Sequence, residues 1–219
     1  KYHNLPAKEL VGKSWLEIGC GAGHFLKALR KFGVKKLKGL DVSEELLSDA
    51  NEGFETEIAF HTCDLISDLK RSNAEIVVAF FVIEHLQNPR LFWDSMARKK
   101  KGTILIFSVP TFGFCAYTEA SFADLPARNF DNVYHTQLYS EGSIKFILNE
   151  TNYTVLSEWV FGQDSQDLIS NILNGYKEFQ HIDFIRRNTQ KILTLIDPIQ
   201  NIIDCSGLSD SRHIIAIKT

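Results

Sequence analysis

The chain has 219 residues, of which 44% are hydrophobic and 23% are charged, as in ordinary globular proteins. Its formal net charge of −3 gives no overall positive field, so nucleic acid and anionic lipid are not expected as main partners. No stretch approaches the roughly 18 apolar residues of a membrane span. The four cysteines, Cys20, Cys63, Cys115 and Cys205, lack metal-ligand or disulfide-framework spacing. This predicts a cytoplasmic protein with reduced thiols and no bound metal.

Short apolar runs alternate with amphipathic segments up to about residue 108, a pattern typical of a parallel sheet with helices on both faces. Ser43 precedes two glutamates, which predicts the N-terminal cap of a helix, and Pro89 predicts the first turn of another. The predicted strands are 14–18, 37–41, 57–63, 76–82 and 102–109, and the predicted helices are 23–32, 43–51 and 89–97.

The alternation ends after Pro110. Residues 110–139 are rich in aromatic side chains and have no clear period, which predicts a long functional loop with one short helix. Ser140 predicts the cap of a helix that ends near residue 151. Residues 153–161 predict a sixth strand, 165–205 a mostly helical segment, and 212–218 a closing strand.

The predicted fold is therefore α/β, with a doubly wound, mostly parallel seven-stranded sheet and a helical insertion between the last two strands. We expect a single domain over 1–219. Within it, 1–109 forms the cofactor-binding half, 110–139 an acceptor-side loop, and 162–208 the insertion.

A glycine-rich loop follows the first predicted strand, in the sequence "LEIGCGAGHF". Such a loop lets the backbone approach a ligand and points helix N-terminal amides at it. The dinucleotide fingerprint G-x-G-x-x-G would place its third glycine at His24, one residue later than Gly23. Glu17, two residues before Gly19, would repel a pyrophosphate. It would instead favour the sulfonium and ammonium groups of S-adenosylmethionine.

Two further acids follow the next two predicted strands. Asp41, in "GLDVS", lies 20 residues after Gly21, where an acid accepts hydrogen bonds from ribose hydroxyls. Asp64, in "TCDLI", is placed to accept from the adenine amine. Glu17, Asp41 and Asp64 therefore follow three strands whose carboxyl ends form the usual ligand crevice of open α/β sheets.

Five segments in this order, "LEIGCGAG", "GLDVS", "CDL", "VVAFFVIEHLQNP" and "KGTILIFSVP", resemble class I S-adenosylmethionine-dependent methyltransferases, a family with a Rossmann-like fold. The resemblance covers 14–109 closely and "HTQLYSEGSIKFILNETNYTVL" more loosely. It implies S-adenosylmethionine as cofactor and S-adenosylhomocysteine as product. The residues that it implies as cofactor contacts are Glu17, Gly19, Cys20, Gly21, Gly23, Asp41, Val42, Asp64, Leu65, Phe81 and His85, the last two on the methionine side.

Two histidines are candidates for the catalytic base. His135 follows the aromatic loop and suits proton abstraction from a hydroxyl acceptor. His85 has two alternatives, contact with the methionine carboxylate or a purely structural role, and a loop-anchoring role is also open for His135. Cys20 is interpreted as a small packing residue rather than a nucleophile.

The sequence thus predicts methyl transfer to a small-molecule or glycan acceptor, at a hydroxyl, with acceptor recognition by 110–139 and 162–208. The alternatives are a non-catalytic S-adenosylmethionine-binding subunit and a nicotinamide-dependent oxidoreductase, which the early third glycine and Glu17 argue against. The helices of 162–208 are also a candidate surface for homodimer formation.

Overall fold

A computed structural model describes residues 7–51, 59–62, 64–121, 134–174, 178 and 181–219. Contacts divide the chain into two compact units. The first unit comprises Lys1–Ser108, Gly142–Glu158 and Ile214–Thr219, and the second comprises Val109–Glu141 and Trp159–His213. Among the described helices, none has the length and apolar character needed to cross a bilayer.

Seven strands form one sheet in the order β3-β2-β1-β4-β5-β7-β6. Parallel pairing joins β1 to β2 and β4, β2 to β3, and β4 to β5. The strand order reverses between β1 and β4, the position at which open α/β sheets bind their ligands. The strands are β1 Ser14–Ile18, β2 Lys36–Asp41, β3 Ala59–Thr62, β4 Ile76–Phe80, β5 Ile104–Pro110, β6 Tyr153–Phe161 and β7 Ser211–Lys218.

The helices follow the strands as the sequence predicts, with additional short elements. The described helices are α1 Ala7–Val11, α2 His24–Lys31, α3 Glu44–Asn51, α4 Leu65–Arg71, α5 Pro89–Ala97, α6 Phe114–Ser121, α7 Glu141–Glu150, α8 Asp164–Asn174, α9 Asp183–Leu193 and α10 Ile196–Cys205, with a 3₁₀ helix at Ile83–His85. The predicted cap of α3 is confirmed, because Ser43 Oγ accepts a hydrogen bond from the Leu46 N–H at 3.3 Å. The helical insertion between β6 and β7 is also confirmed as α8 to α10.

The core of the first unit lies against both faces of the sheet. Residues Ile76 to Ala79 of β4 are fully buried, as expected for a central parallel strand covered on both sides. Trp93 packs edge-to-face on Phe92 and Phe107, with ring centroids 5.2 and 5.5 Å apart. The contact between Trp93 and Phe107 packs α5 against β5.

The second unit is organised around an acidic cluster, which we define as the buried Asp164 and Asp210 and the half-buried Asp204. The Asp164 carboxylate accepts hydrogen bonds from the backbone N–H groups of Cys115 at 2.9 Å and Asp210 at 3.2 Å. Gln200 Nε2 donates to Asp164 at 3.3 Å and to Asp204 at 2.7 Å. The cluster therefore ties α6, α8 and α10 to the segment that leads into β7.

Candidate functional site

The glycine loop has a backbone conformation that is energetically unfavourable for residues with a Cβ atom. Gly19, Gly21 and Gly23 have φ angles of 67°, 50° and 70°, in the left-handed region. The N–H groups of Gly19 and Cys20 both donate to Leu40 O in β2, at 2.7 and 3.0 Å. A Cβ on Gly19 would collide with the Val82 side chain. The loop is therefore fixed to the sheet, and only glycine fits at its first position.

Glu17 lies in β1 just before this loop and is 4% exposed. Its Oε2 atom is buried and has no hydrogen-bond partner within the residues that the structure describes. Burial, and secondarily the charge of Asp41, raises the pKa of Glu17 to about 8. A buried carboxyl with an unused oxygen next to a glycine loop is suited to a cationic ligand, which would stabilise its charged form.

Asp41 lies at the end of β2 and connects the loop to the start of α3. Its Oδ2 accepts a hydrogen bond from the Gly21 N–H at 2.7 Å, and its Oδ1 accepts from the Ser43 N–H at 2.9 Å. The carboxylate thus positions the glycine loop; its predicted contact with a ribose stays a prediction. The neighbouring Val42 is 66% exposed, so it presents an apolar surface beside the predicted ribose position.

Asp64 is the N-terminal cap of α4, which begins at Leu65. Its Oδ1 accepts from the N–H groups of Ile66 and Ser67, and its Oδ2 accepts from Ser67 Oγ at 2.8 Å. Hydrogen bonds from Ser67 lower the pKa of this exposed carboxyl below its ordinary value. The adenine contacts predicted for Asp64 and Leu65 remain predictions, while the structure assigns Asp64 a capping role.

Two consecutive phenylalanines at the end of β4 differ in environment, as the alternation of faces predicts. Phe80 packs edge-to-face on Phe25 with ring centroids 5.0 Å apart, while Phe81 is 39% exposed. Phe81 has a φ of 53°, a rare conformation for a residue with a bulky side chain. Such strain is concentrated at ligand sites, which supports the predicted role of Phe81 beside the cofactor.

Glu84 is a site residue that the sequence analysis did not single out. It is 1% exposed in the 3₁₀ helix after β4, and burial raises its pKa to about 7. Its Oε1 lies 3.9 Å from His85 Nε2. The "IEH" segment contained Glu84, but its raised pKa comes from burial, which the segment alone does not show. Glu84 therefore places a carboxyl that can take up a proton near neutral pH beside the His85 ring.

The remaining predicted site residues occupy different settings. Cys20 is buried, with its Sγ 3.8 Å from the Gly21 carbonyl, in agreement with a packing role. His135 is half-buried in the second unit, and its role as a base stays a prediction. Cys63, the fourth cysteine, lies outside the described residues.

The fold is that of known S-adenosylmethionine-dependent enzymes. A crystal structure of a SAM-dependent methyltransferase from Archaeoglobus fulgidus superposes with a TM-score of 0.57 at 19% identity, over 94% of this chain and 86% of that one. At this identity the similarity shows the fold alone.

Several curated relatives match part of the sequence, and two of them illustrate the similarity. Both are named ubiquinone biosynthesis O-methyltransferase. The protein from Coxiella burnetii (strain RSA 493) is 33% identical over 115 residues, which cover 49% of this chain and 48% of that protein. The protein from Shewanella pealeana is 27% identical over 124 residues, covering 54% and 52%. This chain thus spans about half the length of the curated relatives it matches.

A family model described as a methyltransferase domain matches residues 1–158. That range is well over half of the chain, and it contains β1 to β5, the glycine loop, Glu17 and Asp41. The chain therefore belongs to this methyltransferase domain family.

Proposed function

We propose that the protein binds S-adenosylmethionine in its first unit and transfers the methyl group to a hydroxyl of a small molecule or sugar. The observation that carries the proposal is the buried Glu17 carboxyl, whose Oε2 has no partner within the described chain and whose pKa is about 8. A cationic ligand at the glycine loop would use this oxygen, whereas the phosphates of a dinucleotide would be repelled once it ionises. The same residue is therefore evidence for the cofactor and against a nicotinamide.

In this proposal, different residues of the first unit contact different parts of the cofactor. Gly19, Gly21 and Gly23 allow close backbone approach, Glu17 faces the cationic end, and Asp41 and Val42 border the ribose. When bound, S-adenosylmethionine supplies an electrophilic methyl group and leaves as S-adenosylhomocysteine. The remaining demand on the protein is alignment of the acceptor hydroxyl and removal of its proton. We assign proton removal to His135 or to His85, whose neighbour Glu84 is able to accept a proton near pH 7.

We assign acceptor recognition to the segments 110–139 and 162–208. Within the second unit, α8 and α9 line an open apolar pocket of about 250 Å³, a size that suits one ring or a short alkyl group. It is lined by Ile172, Leu173, Phe184, Ile185, Asn188, Thr189 and Ile192. The curated relatives are O-methyltransferases by name, which supports oxygen as the methylated atom. The proposed acceptor is therefore an apolar ring, which fits the pocket, with a hydroxyl group as the methylated position.

The proposal is tested first by calorimetric titration with S-adenosylhomocysteine, with NADH as the comparison ligand. We expect saturable binding of S-adenosylhomocysteine alone, weakened at least tenfold in Glu17→Gln. The matched control is Glu150→Gln, an exposed glutamate at the end of α7, which should bind as the unaltered protein does. Preference for NADH would overturn the cofactor assignment and favour an oxidoreductase.

The activity is tested separately with labelled S-adenosylmethionine and a panel of phenols, catechols and sugars. We expect S-adenosylhomocysteine to form with at least one hydroxyl acceptor, and its formation to fail with the matching methyl ethers. Binding without turnover across the panel would contradict the transferase and favour the non-catalytic binding subunit.

We also propose that the helices of 162–208 form a homodimer surface. Phe184 on α9 and Ile202 on α10 are 71% and 68% exposed, which is unusual for large apolar side chains. Light scattering should give a dimer mass that falls to the monomer value in Phe184→Ser/Ile202→Ser. A monomer at all concentrations up to about 100 µM would contradict the proposal.

A further inference from the structure

A positively charged cleft lies at the amino-terminal edge of the sheet, on the opposite edge from the glycine loop. It is formed by the segments that lead into β4 and β5 and by the ends of α4 and α5, all within the first unit. Its volume is about 220 Å³. The lining residues are Lys70, Ser72, Asn73, Ala74, Ser95, Arg98, Lys99, Lys100 and Thr103. Four of these nine residues are cationic and none is acidic.

One of the four cations is built into the wall of the cleft. Lys99 Nζ donates to the carbonyl oxygens of Leu69 at 2.5 Å and Ser72 at 2.6 Å, and so satisfies the C-terminal end of α4. Burial lowers the pKa of Lys99 from its ordinary value. The side chain is thus a partly buried cation whose described partners are neutral carbonyls, and a nearby anion would stabilise it.

The other three cations, Lys70, Arg98 and Lys100, are exposed around the same cleft. No ion pair joins any of them to a carboxylate within the described residues, whereas the nearby Arg71 and Lys13 are paired with Asp68 and Glu75. Cations near helix C-termini are favoured through the helix dipole. That effect explains a cation at the end of α4 and another at the end of α5. It does not explain four around one cleft with no acid among its lining residues.

The positive charge extends beyond the cleft into a neighbouring groove. A neighbouring groove shares Ser72 to Ala74 with the cleft and is lined by Lys35, Lys36 and Lys38. The chain as a whole has a net charge of −3, so this edge is positive against an acidic background. Hydroxyl and amide groups of Ser72, Asn73 and Thr103 add neutral hydrogen-bond donors to the cationic ones. Several cations combined with neutral donors in a small cleft match the charge and acceptor oxygens of a terminal phosphate.

We propose that this cleft is a second ligand site, which binds a terminal phosphate or diphosphate group. Arg98 and Lys100 hold the phosphate oxygens, and Lys99 fixes the end of α4 that forms one wall. The site is independent of the proposed methyl transfer, because it lies at the other edge of the sheet and shares no residue with the glycine loop. The phosphate is carried either by a soluble molecule or by a lipid headgroup, and the two sources are separable by experiment.

The first measurement is a calorimetric titration of the whole protein with pyrophosphate at 50 mM NaCl. We expect saturable binding that weakens as salt rises to 300 mM, because the interaction is charge-driven and partly exposed. Arg98→Ala/Lys100→Ala should weaken binding at least tenfold, which corresponds to about 1.4 kcal/mol. The matched control is Arg90→Ala/Lys145→Ala, which removes the same two residue types from exposed positions on α5 and α7 and should change affinity less than twofold.

The second measurement is flotation with vesicles that contain phosphatidic acid, compared with vesicles of phosphatidylcholine alone. The site binds a lipid-borne phosphate if the unaltered protein and the control variant bind phosphatidic acid vesicles and Arg98→Ala/Lys100→Ala does not. Pyrophosphate binding without vesicle binding would assign it to a soluble one. The proposal is overturned if the unaltered protein binds neither, or if both double variants lose binding equally. S-adenosylhomocysteine affinity should be unchanged in both variants, which separates this site from the cofactor site.

Discussion

The Asp41 carboxylate connects β2 to the glycine loop, because its Oδ2 accepts a hydrogen bond from the Gly21 N–H at 2.7 Å. The other oxygen of the same carboxylate accepts from the Ser43 N–H at the start of α3. One side chain thus sets the geometry of the loop and of the helix that follows β2. Its negative charge also contributes to the raised pKa of Glu17.

Replacement of Asp41 by alanine should disorganise the loop and weaken cofactor binding. Hydrogen bonds to a charged group contribute about 1.5–3 kcal/mol each, so the loss of both should lower the free energy of unfolding, measured in urea, by about 3–6 kcal/mol. S-adenosylhomocysteine should bind at least tenfold more weakly. Asp49→Ala, at an exposed position on α3, is the control. Equal urea midpoints for the two variants would show that the Asp41 hydrogen bonds contribute nothing.

The raised pKa of Glu17 predicts how cofactor affinity changes with pH. Below about pH 8 the free protein holds Glu17 mostly protonated, and a cationic ligand has to displace that proton. Affinity for S-adenosylhomocysteine should therefore increase from pH 6 to pH 8, by up to about tenfold per pH unit, and then level off. In Glu17→Gln this increase should be absent. An identical pH profile in both proteins would mean that Glu17 does not face the cation.

The same residue makes a prediction for the protein without ligand. Because its folded-state pKa lies above the unfolded value of 4.5, the folded state binds the proton more tightly. The resulting stabilisation is complete below pH 4.5 and is lost as pH rises through about 8. Urea unfolding at pH 6, 7 and 8 should show this loss in the unaltered protein. Glu17→Gln should show a smaller decline over the same range.

Alanine substitutions at two glycines of the loop distinguish the effect of a steric clash from the effect of backbone strain. Gly19 and Gly21 both have positive φ, but only at Gly19 would a Cβ meet another atom, the side chain of Val82. Gly21→Ala should lose about 1–2 kcal/mol of stability from strain alone. Gly19→Ala should lose more and abolish S-adenosylhomocysteine binding. Gly19→Ala/Val82→Ala tests the cause, since removal of the Val82 methyl groups should recover stability relative to Gly19→Ala alone.

Gly113 provides a corresponding test in the second unit. A Cβ there would stand 2.6 Å from backbone atoms of Ser209 and Asp210, which cannot rotate away as a side chain can. Gly113→Ala should therefore lose at least about 2 kcal/mol of unfolding free energy. At Gly12 the nearest atom to a Cβ is 3.9 Å away, so Gly12→Ala should be nearly neutral. Similar melting temperatures for the two variants would contradict the close packing around Asp210.

Local patterns in the sequence predicted most elements of the sheet. β1, α5 and β6 match the predicted bounds, because each is delimited by a local signal such as Pro89 or a clean apolar run. The helix α4 was not predicted. Its apolar positions are few, and Asp64, which caps it, had been interpreted as a cofactor contact. In the sequence, Asp64 fits either a helix cap or a cofactor contact. Only its hydrogen bonds from the N–H groups of Ile66 and Ser67 show the capping role.

The glycine loop after β1 and the acids near the ends of β1 and β2 were predictable from the sequence. The candidate site was not predictable where burial decides the chemistry. Glu84 lies in the "IEH" segment, but its pKa of about 7 depends on burial in the fold, which the sequence does not show. The positive cleft was also not predictable from the sequence. Its cations come from two separate helix ends, and the run 98–101 alone resembles an ordinary solvated helix end.

The acidic cluster of the second unit joins segments that are far apart in the chain. Asp164 binds the backbone N–H groups of Cys115 and Asp210, which lie 49 and 46 residues away in the chain. Contacts of such long range form only after large loops have closed, so these two amides report on the whole unit rather than on a local turn. In hydrogen exchange they should be the slowest amides of α6 and of the residues before β7. Their exchange rates would measure the free energy of opening the second unit directly.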